Sequence, residues 1–336
     1  MVTEPAAVTQ EQAELWKKDG FDAFVLVLDE RFEPAAYQKA AAIVAANSAR
    51  LYYWIEVGRN KDFARDHPEW MASLGSHDDW RNAFPDAPRL NNGEVAKAWP
   101  WIPIAYQKAF DAHLARIKEL LGRVPKDYQG LLLNDLQGGP SSCGCGNLQC
   151  RWAIDYGVPA TTERIAGHDA AATFIAAVRR LAGPKEIIPV WTTECDREDM
   201  ALEKQPKHDW TTGYCGGVDC YNYCLARFSE QWLALHKEHQ GPTAVLLLQK
   251  EFLRDRKEYG SPAGWITHAV EYLGQKNLKS VPRERLWLVV QGDGVSAEEE
   301  KIARAAAMKT GAGAVLVTRV PIEQSYEPRV IPVKQD

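Results

Sequence analysis

Eight short apolar runs punctuate this chain of 336 residues, and most end in a polar or acidic residue. They begin with Phe24–Leu28 before Asp29, Leu51–Ile55 before Glu56, Leu131–Leu133 before Asn134 and Asp135, and Ile187–Trp191 shortly before Glu194. The series continues with Val218–Tyr223, Ala244–Leu248 before Gln249, Leu286–Val290 before Gln291, and Ala314–Val317 before Thr318. Stretches of helical character separate most of them. Strand alternating with helix eight times points to an α/β fold and, within it, to a (β/α)8 or TIM barrel. Such a barrel carries its chemistry where the strands end, so the run ends are also the first place to look for a site.

The helices bring their own stop and start signals. Pro34 opens the alanine-rich stretch to Asn47, where a missing N–H does no harm. Ser296 to Glu299 has the spacing of a capping box. Gly122 and Gly183 stand where C-terminal caps belong. Connections from helix to strand are mostly short. Those from strand to helix are long after the second, third and fourth runs, at 57–102, 137–161 and 195–214. The asymmetry puts the elaborated loops on the C-terminal face of one barrel domain spanning 1–336, with 57–102 and 137–161 as insertions over it. The fifth run, Val218–Tyr223, is short and polar for a strand. No helix clearly follows the eighth, and Gln10–Lys18 is expected to cover the open barrel end.

The hydrophobic fraction of 46% supports a large core, and a net charge of −5 with no dense basic cluster argues against a nucleic-acid partner. No apolar run approaches the roughly 20 residues that cross a bilayer. The first residues lack the basic and apolar regions of a signal peptide, while export stays open if a signal has been removed.

Carboxylates at the run ends carry the strongest chemical signal. Alternation places Tyr52, Trp54 and Glu56 on one side of the second strand, and Leu131, Leu133 and Asp135 on one side of the third. Glu194 ends the fourth. Hydrolysis of a glycosidic bond needs two carboxyl groups facing each other across the sugar, one to protonate the leaving oxygen and one to attack or to activate water. Asp135, Glu194 and Glu56 are the candidates, with Glu194 as the acid because Trp191 stands beside it. The plainer reading makes each a solvated or Arg-paired rim residue. Trp54, Trp70, Trp80, Trp99, Trp101 and Trp191 lie on strand ends or in the 57–102 loop, where rings either stack on sugars or build a small core of their own. His67, His77 and His208 lie in loops that reach the mouth. His113, His168, His236, His239 and His268 fall in helices, where packing or surface roles are expected. Neither a His-x-x-x-His pair nor a Gly-x-Ser-x-Gly elbow is present.

All seven cysteines lie between positions 143 and 224. Cys143, Cys145 and Cys150 share one glycine-rich loop, Cys195 follows Glu194, and Cys215, Cys220 and Cys224 flank the fifth run. Barrel neighbours would bring them to one sector of the mouth. Cys-x-Cys with Cys-x4-Cys looks like a metal knuckle, with tetrahedral zinc as the simplest occupant and an iron–sulfur cluster as the lesser alternative. Disulfides in an exported protein are the competing reading.

The segment Leu51-Tyr-Tyr-Trp-Ile-Glu-Val-Gly-Arg59, followed by Asp66-His-Pro-Glu-Trp-Met71, resembles bacterial glycoside-hydrolase-like TIM barrels. Leu133-Asn-Asp-Leu-Gln137 is similar to strand ends that present an acid to a sugar there. The resemblance implies a carbohydrate ligand at the end of the second strand and the His67-Pro-Glu-Trp70 segment, and the candidate substrate contacts are Trp54, Trp70, Trp191, His67 and Asp293. In such barrels a Glu follows both the fourth and the seventh strand. Here Glu194 fits the first position, while Gln291 holds the second with Asp293 two residues on. The rivals are a carbohydrate-binding barrel that does not cleave, and a metal or redox enzyme working through the cysteines.

Overall fold

The computed structural model describes residues 1–74, 86–136, 165, 167–192, 241–247, 282–322 and 326–333, with a few positions in 263–270. A parallel barrel closes in the order β1 (Val2–Thr3), β2 (Ala23–Val27), β3 (Arg50–Glu56), β5 (Gly130–Asn134), β6 (Glu186–Thr192), β7 (Thr243–Leu247), β8 (Leu286–Gln291) and β9 (Ala314–Thr318). From Val2 the pairings run through Val25, Tyr52 and Gly130 to Glu186, then from Val190 through Ala244 and Trp287 to Ala314, and close from Thr318 back to Val2. The steps from Glu186 to Val190 and from Ala314 to Thr318 make a stagger of eight residues, the shear of a (β/α)8 barrel.

Seven of the eight apolar runs are barrel strands, and the eighth strand is not the expected one. β6 pairs directly with β7, Val190 against Ala244, so Val218–Tyr223 does not stand between them as a barrel strand; that run lies outside the described residues. The place is filled by Val2–Thr3, wedged between β9 and β2. Two residues have no periodicity to read, which hid this strand. The frame therefore shifts by one unit, and α1 (Gln10–Lys18) is the helix of the first βα unit instead of a plug for the barrel end. It lies on the outside, with Trp16 tilted against Phe24 at 5.6 Å.

Strand alternation sorts the side chains into two cores. Val2, Val25, Val27, Tyr52, Trp54, Leu132, Val190, Leu246, Val289 and Leu316 fill the barrel, with Tyr52 edge-on to Trp287 at 5.5 Å. Phe24, Leu26, Tyr53, Leu131, Leu133 and Ile187 point outward. They pack under α2 (Pro34–Ala46), α4 (Gln107–Gly122), α5 (Gly167–Ala182) and α6 (Ala297–Lys309). The capping box of α6 is present: the Ser296 hydroxyl accepts from the Glu299 N–H and the Glu299 carboxylate accepts from the Ser296 N–H.

The segment after β3 forms an arm of its own. It contains α3 (Lys61–Asp66), a single 3-10 turn at Pro68–Trp70, and β4 (Glu94–Trp99). β4 pairs antiparallel with β10 (Glu327–Pro332), which follows the last barrel strand. Ala72, Leu74, Ala96, Ala98, Trp101 and Tyr326 make a separate apolar cluster there.

Candidate functional site

The inner core ends in polar residues. One step of the alternation beyond its top layer reaches Glu4 after β1, Asp29 after β2, Glu56 on β3, Asn134 on β5, Gln291 on β8 and Thr318 on β9. These positions ring the C-terminal mouth, the catalytic face of this architecture.

Glu56 is the best held of them. One carboxylate oxygen accepts from the Trp54 indole N–H at 2.6 Å, and the other accepts from the Asn134 amide at 2.9 Å. The first contact follows from strand geometry, since residues two apart share a face. The second follows from register, since Glu56 and Asn134 are paired across β3 and β5. Two N–H donors, one for each oxygen, fix the carboxylate's rotation and suit its role as an acceptor. Gly58 lets the next turn close: a Cβ there would lie 2.4 Å from the Asp135 carbonyl oxygen.

A cavity of about 390 Å³ opens beside Glu56. Glu4, Asp29–Arg31, Arg59–Asp62 and Val320–Ile322 line it from the loops after β1, β2, β3 and β9, and Val27, Trp54, Glu56, Pro100 and Arg116 complete the wall. Arg116, on α4, clamps two loops. It donates to the Glu56 carbonyl at 2.8 Å and grips Glu30 with two bonds of 2.6 and 2.9 Å. Tyr37, on α2, accepts from the Asp29 N–H at 2.9 Å, and burial pushes its phenol up to about 12, so it stays a neutral hydroxyl. Asp29 accepts from the N–H and the guanidinium of Arg31 at 2.8 and 2.9 Å. Asp62 accepts from Arg65 at 2.8 Å.

The expected site residues separate into three groups. Glu56 and Trp54 meet at the cavity. Asp135, Trp70, His67 and Asp293 stand apart from its walls. Asp135 is fully buried with φ of 59°, at the turn where β5 ends. Leu131 and Leu133 point outward, so the strand-end side chain aimed into the barrel is Asn134. Trp70 is 9% exposed and packs with Ala64, Met71, Ile102 and Tyr106, and His67 stacks on its outer face at 3.8 Å. Asp293 lies in the turn after β8, where its carbonyl accepts from Gln291 at 2.7 Å. The third group lies outside the described residues: Glu194, the Trp191 side chain, and Cys143, Cys145, Cys150, Cys195, Cys215, Cys220 and Cys224, as do Trp80, His77 and His208. Among the described residues no group of His, Cys, Asp and Glu is arranged to hold a metal.

Sequence reasoning passed over Asn134, Glu4 and Arg116. Counting alternation from Leu132 instead of Leu131 finds Asn134. Glu4 was hidden with its unrecognised strand. Arg116 sits mid-helix and carries no local signal.

No protein-family model matches the sequence, and no curated protein matches it. Solved structures do. The chain is similar to a β-galactosidase from the psychrophilic Marinomonas ef1, at 10% identity and a TM-score of 0.50, covering 96% of this chain and 55% of that one. It also matches a β-glucosidase 1317, at 9% identity, a TM-score of 0.49, and coverage of 92% and 76%. The carboxyl transferase domain from Rhizobium etli pyruvate carboxylase matches at 9% identity and a TM-score of 0.41, over 94% of this chain and 39% of that one. This chain thus spans little more than half of the β-galactosidase chain. At such identities the likeness shows the fold, and the fold is an α/β TIM barrel.

Proposed function

We propose that the chain is a carbohydrate-active enzyme that hydrolyses a glycosidic bond at the C-terminal mouth of its barrel. The observation that carries this is Glu56: a strand-end carboxylate, held by the indole of Trp54 and the amide of Asn134, at the wall of a cavity of about 390 Å³. A base or nucleophile at a sugar carbon needs a fixed orientation, and these donors supply it. The β-galactosidase that shares the barrel adds weight to a sugar ligand. Asp135 and Glu194 remain the sequence-based candidates for the second carboxyl group. The whole chain, 1–336, is read as one barrel domain with insertions at 57–102 and 137–161.

The experiment is Glu56→Gln, assayed on a panel of aryl glycosides and oligosaccharides. Loss of at least about a hundredfold in kcat with the fold intact supports the reading. Activity within a few-fold of the parent removes Glu56 from the mechanism.

A second reading has its own observation. Three acids on or beside the cavity, Asp29, Glu30 and Asp62, are engaged by Arg31, Arg116 and Arg65, as in a binding site without catalysis. Saturable sugar binding with no turnover by the parent would favour it. For the cysteines, the reading is a structural zinc ion bracing the loops, and elemental analysis of protein purified without added metal tests it: one zinc per chain supports it, and paired disulfides in mass spectrometry sink it.

A further inference from the structure

We infer that Glu4 is the second carboxyl group of the site and acts as the general acid opposite Glu56. The inference rests on the hydrolase reading above and names a residue on the strand that the apolar runs did not reveal.

Three observations carry it. Val2 lies in the inner core, and Glu4 follows it by two residues with extended backbone, φ −76° and ψ 149°, so the alternation aims Glu4 at the barrel mouth. Glu4 and Glu56 line the same cavity. Every other acid that lines it is engaged: Asp29 by Arg31, Glu30 by Arg116, Asp62 by Arg65, and Glu56 by Trp54 and Asn134. The Glu4 side chain makes no capping bond to the 3-10 turn that it precedes, and no hydrogen bond or ion pair among the described residues.

Spacing sets the stereochemistry. β1 and β3 flank β2, and paired strands stand about 4.8 Å apart, so the two strand ends are about 10 Å apart. Strand ends so placed leave room between inward-reaching carboxyl groups for the water of an inverting pair, whose groups are about 6.5–9.5 Å apart. In the step, a water attacks the anomeric carbon and gives a proton to Glu56. The bond from that carbon to the leaving oxygen breaks, and the oxygen takes the proton of Glu4. Glu4 ends as carboxylate and Glu56 as acid, and proton exchange with solvent resets both.

The test uses the full chain, with Glu4→Gln and Glu56→Gln assayed on two classes of substrate: oligosaccharides, whose leaving group needs a proton, and dinitrophenyl glycosides, whose leaving group does not. Glu4→Gln is expected to lose at least about a hundredfold on oligosaccharides and less than about tenfold on dinitrophenyl glycosides, whereas Glu56→Gln loses on both. Glu4→Asp, which keeps the carboxyl group, should recover part of the oligosaccharide rate. NMR of the first product anomer should show inversion. Equal losses of Glu4→Gln on both classes, activity within a few-fold of the parent on both, or retention at the anomeric carbon overturns the inference and leaves the hydrolase reading standing. A parent inactive on every glycan overturns both.

Discussion

The end of β3 and the arm that grows from it are both rich in tryptophan, yet they use it in opposite ways. Trp54, on β3, is 1% exposed and spends its N–H on Glu56 at 2.6 Å. Trp101, in the arm, is 0% exposed, lies among Ala72, Leu74, Ala96, Ala98 and Tyr326, and its N–H has no partner among the described residues. The first ring positions a carboxylate; the second is core for an insertion that must bury something to fold. A tryptophan in a loop near an active face is thus no marker of a sugar platform. Its indole N–H tells the two uses apart.

The largest expected effect breaks the arm. Trp101→Ala should cost about 3–5 kcal/mol in stability, the range for truncating a fully buried large aromatic, read by urea unfolding. Trp101→Phe should cost less than Trp101→Ala, because it removes no hydrogen bond and leaves a smaller cavity. The contrast fails if both substitutions cost the same.

Trp54→Phe sharpens the comparison from the other side. It deletes the donor to Glu56, a charge-assisted bond of about 1.5–3 kcal/mol. In kcat that is roughly a ten- to hundredfold loss, with a fall in Tm smaller than that of Trp101→Ala because an aromatic ring still fills most of the space. A loss of Tm matching that of Trp101→Ala would make Trp54 ordinary core.

The contrast also separates what the chain shows openly from what it hides. Long apolar runs such as Leu286–Val290 name their strands without help. Val2–Thr3 does not, because a two-residue strand owes its place to neighbours β9 and β2, which are far away in sequence. Glu56 was legible from alternation with Tyr52 and Trp54. Asn134 was missed because Asp135 drew attention as the acid, although φ of 59° turns the chain there and ends the alternation. β10 was missed because its partner β4 lies inside an insertion, and neither strand alternates cleanly.

A third expectation concerns pH. His113, on α4, is 1% exposed, stands edge-on to Phe63 at 5.1 Å, and donates through Nε2 to the Ile102 carbonyl at 2.9 Å, tying the arm to the barrel. Burial is the main cause that brings its imidazole down to about 3, with Arg116 adding to it, so it is neutral in the folded protein. The unfolded chain takes up this proton near pH 6.5. The contribution is therefore whole above pH 6.5 and is lost as pH falls from 6.5 towards 3, at up to about 1.4 kcal/mol per pH unit. Denaturant unfolding of the parent and His113→Gln at pH 7 and pH 5 checks it: the parent should lose more stability than the variant. Equal losses would remove His113 as the cause.

The smallest expected effect asks what holds the arm's sheet together. Arg329, on β10, sits over the Trp99 ring at 3.5 Å, and its side chain is 46% exposed. A cation over an aromatic face at an exposed site contributes about 0.5–1 kcal/mol. Beneath it, six residue pairs from Glu327 against Trp99 to Pro332 against Glu94 run the length of the sheet, and Tyr326 enters the Trp101 cluster. If buried packing and backbone pairing hold the arm, Arg329→Ala should lower stability by no more than about 1 kcal/mol, and amide exchange on β4 should stay slow. Fast exchange across β4 in that variant would mean that the surface contact holds the sheet, and Trp99 would then belong with Trp54 as a ring whose partner matters more than its burial.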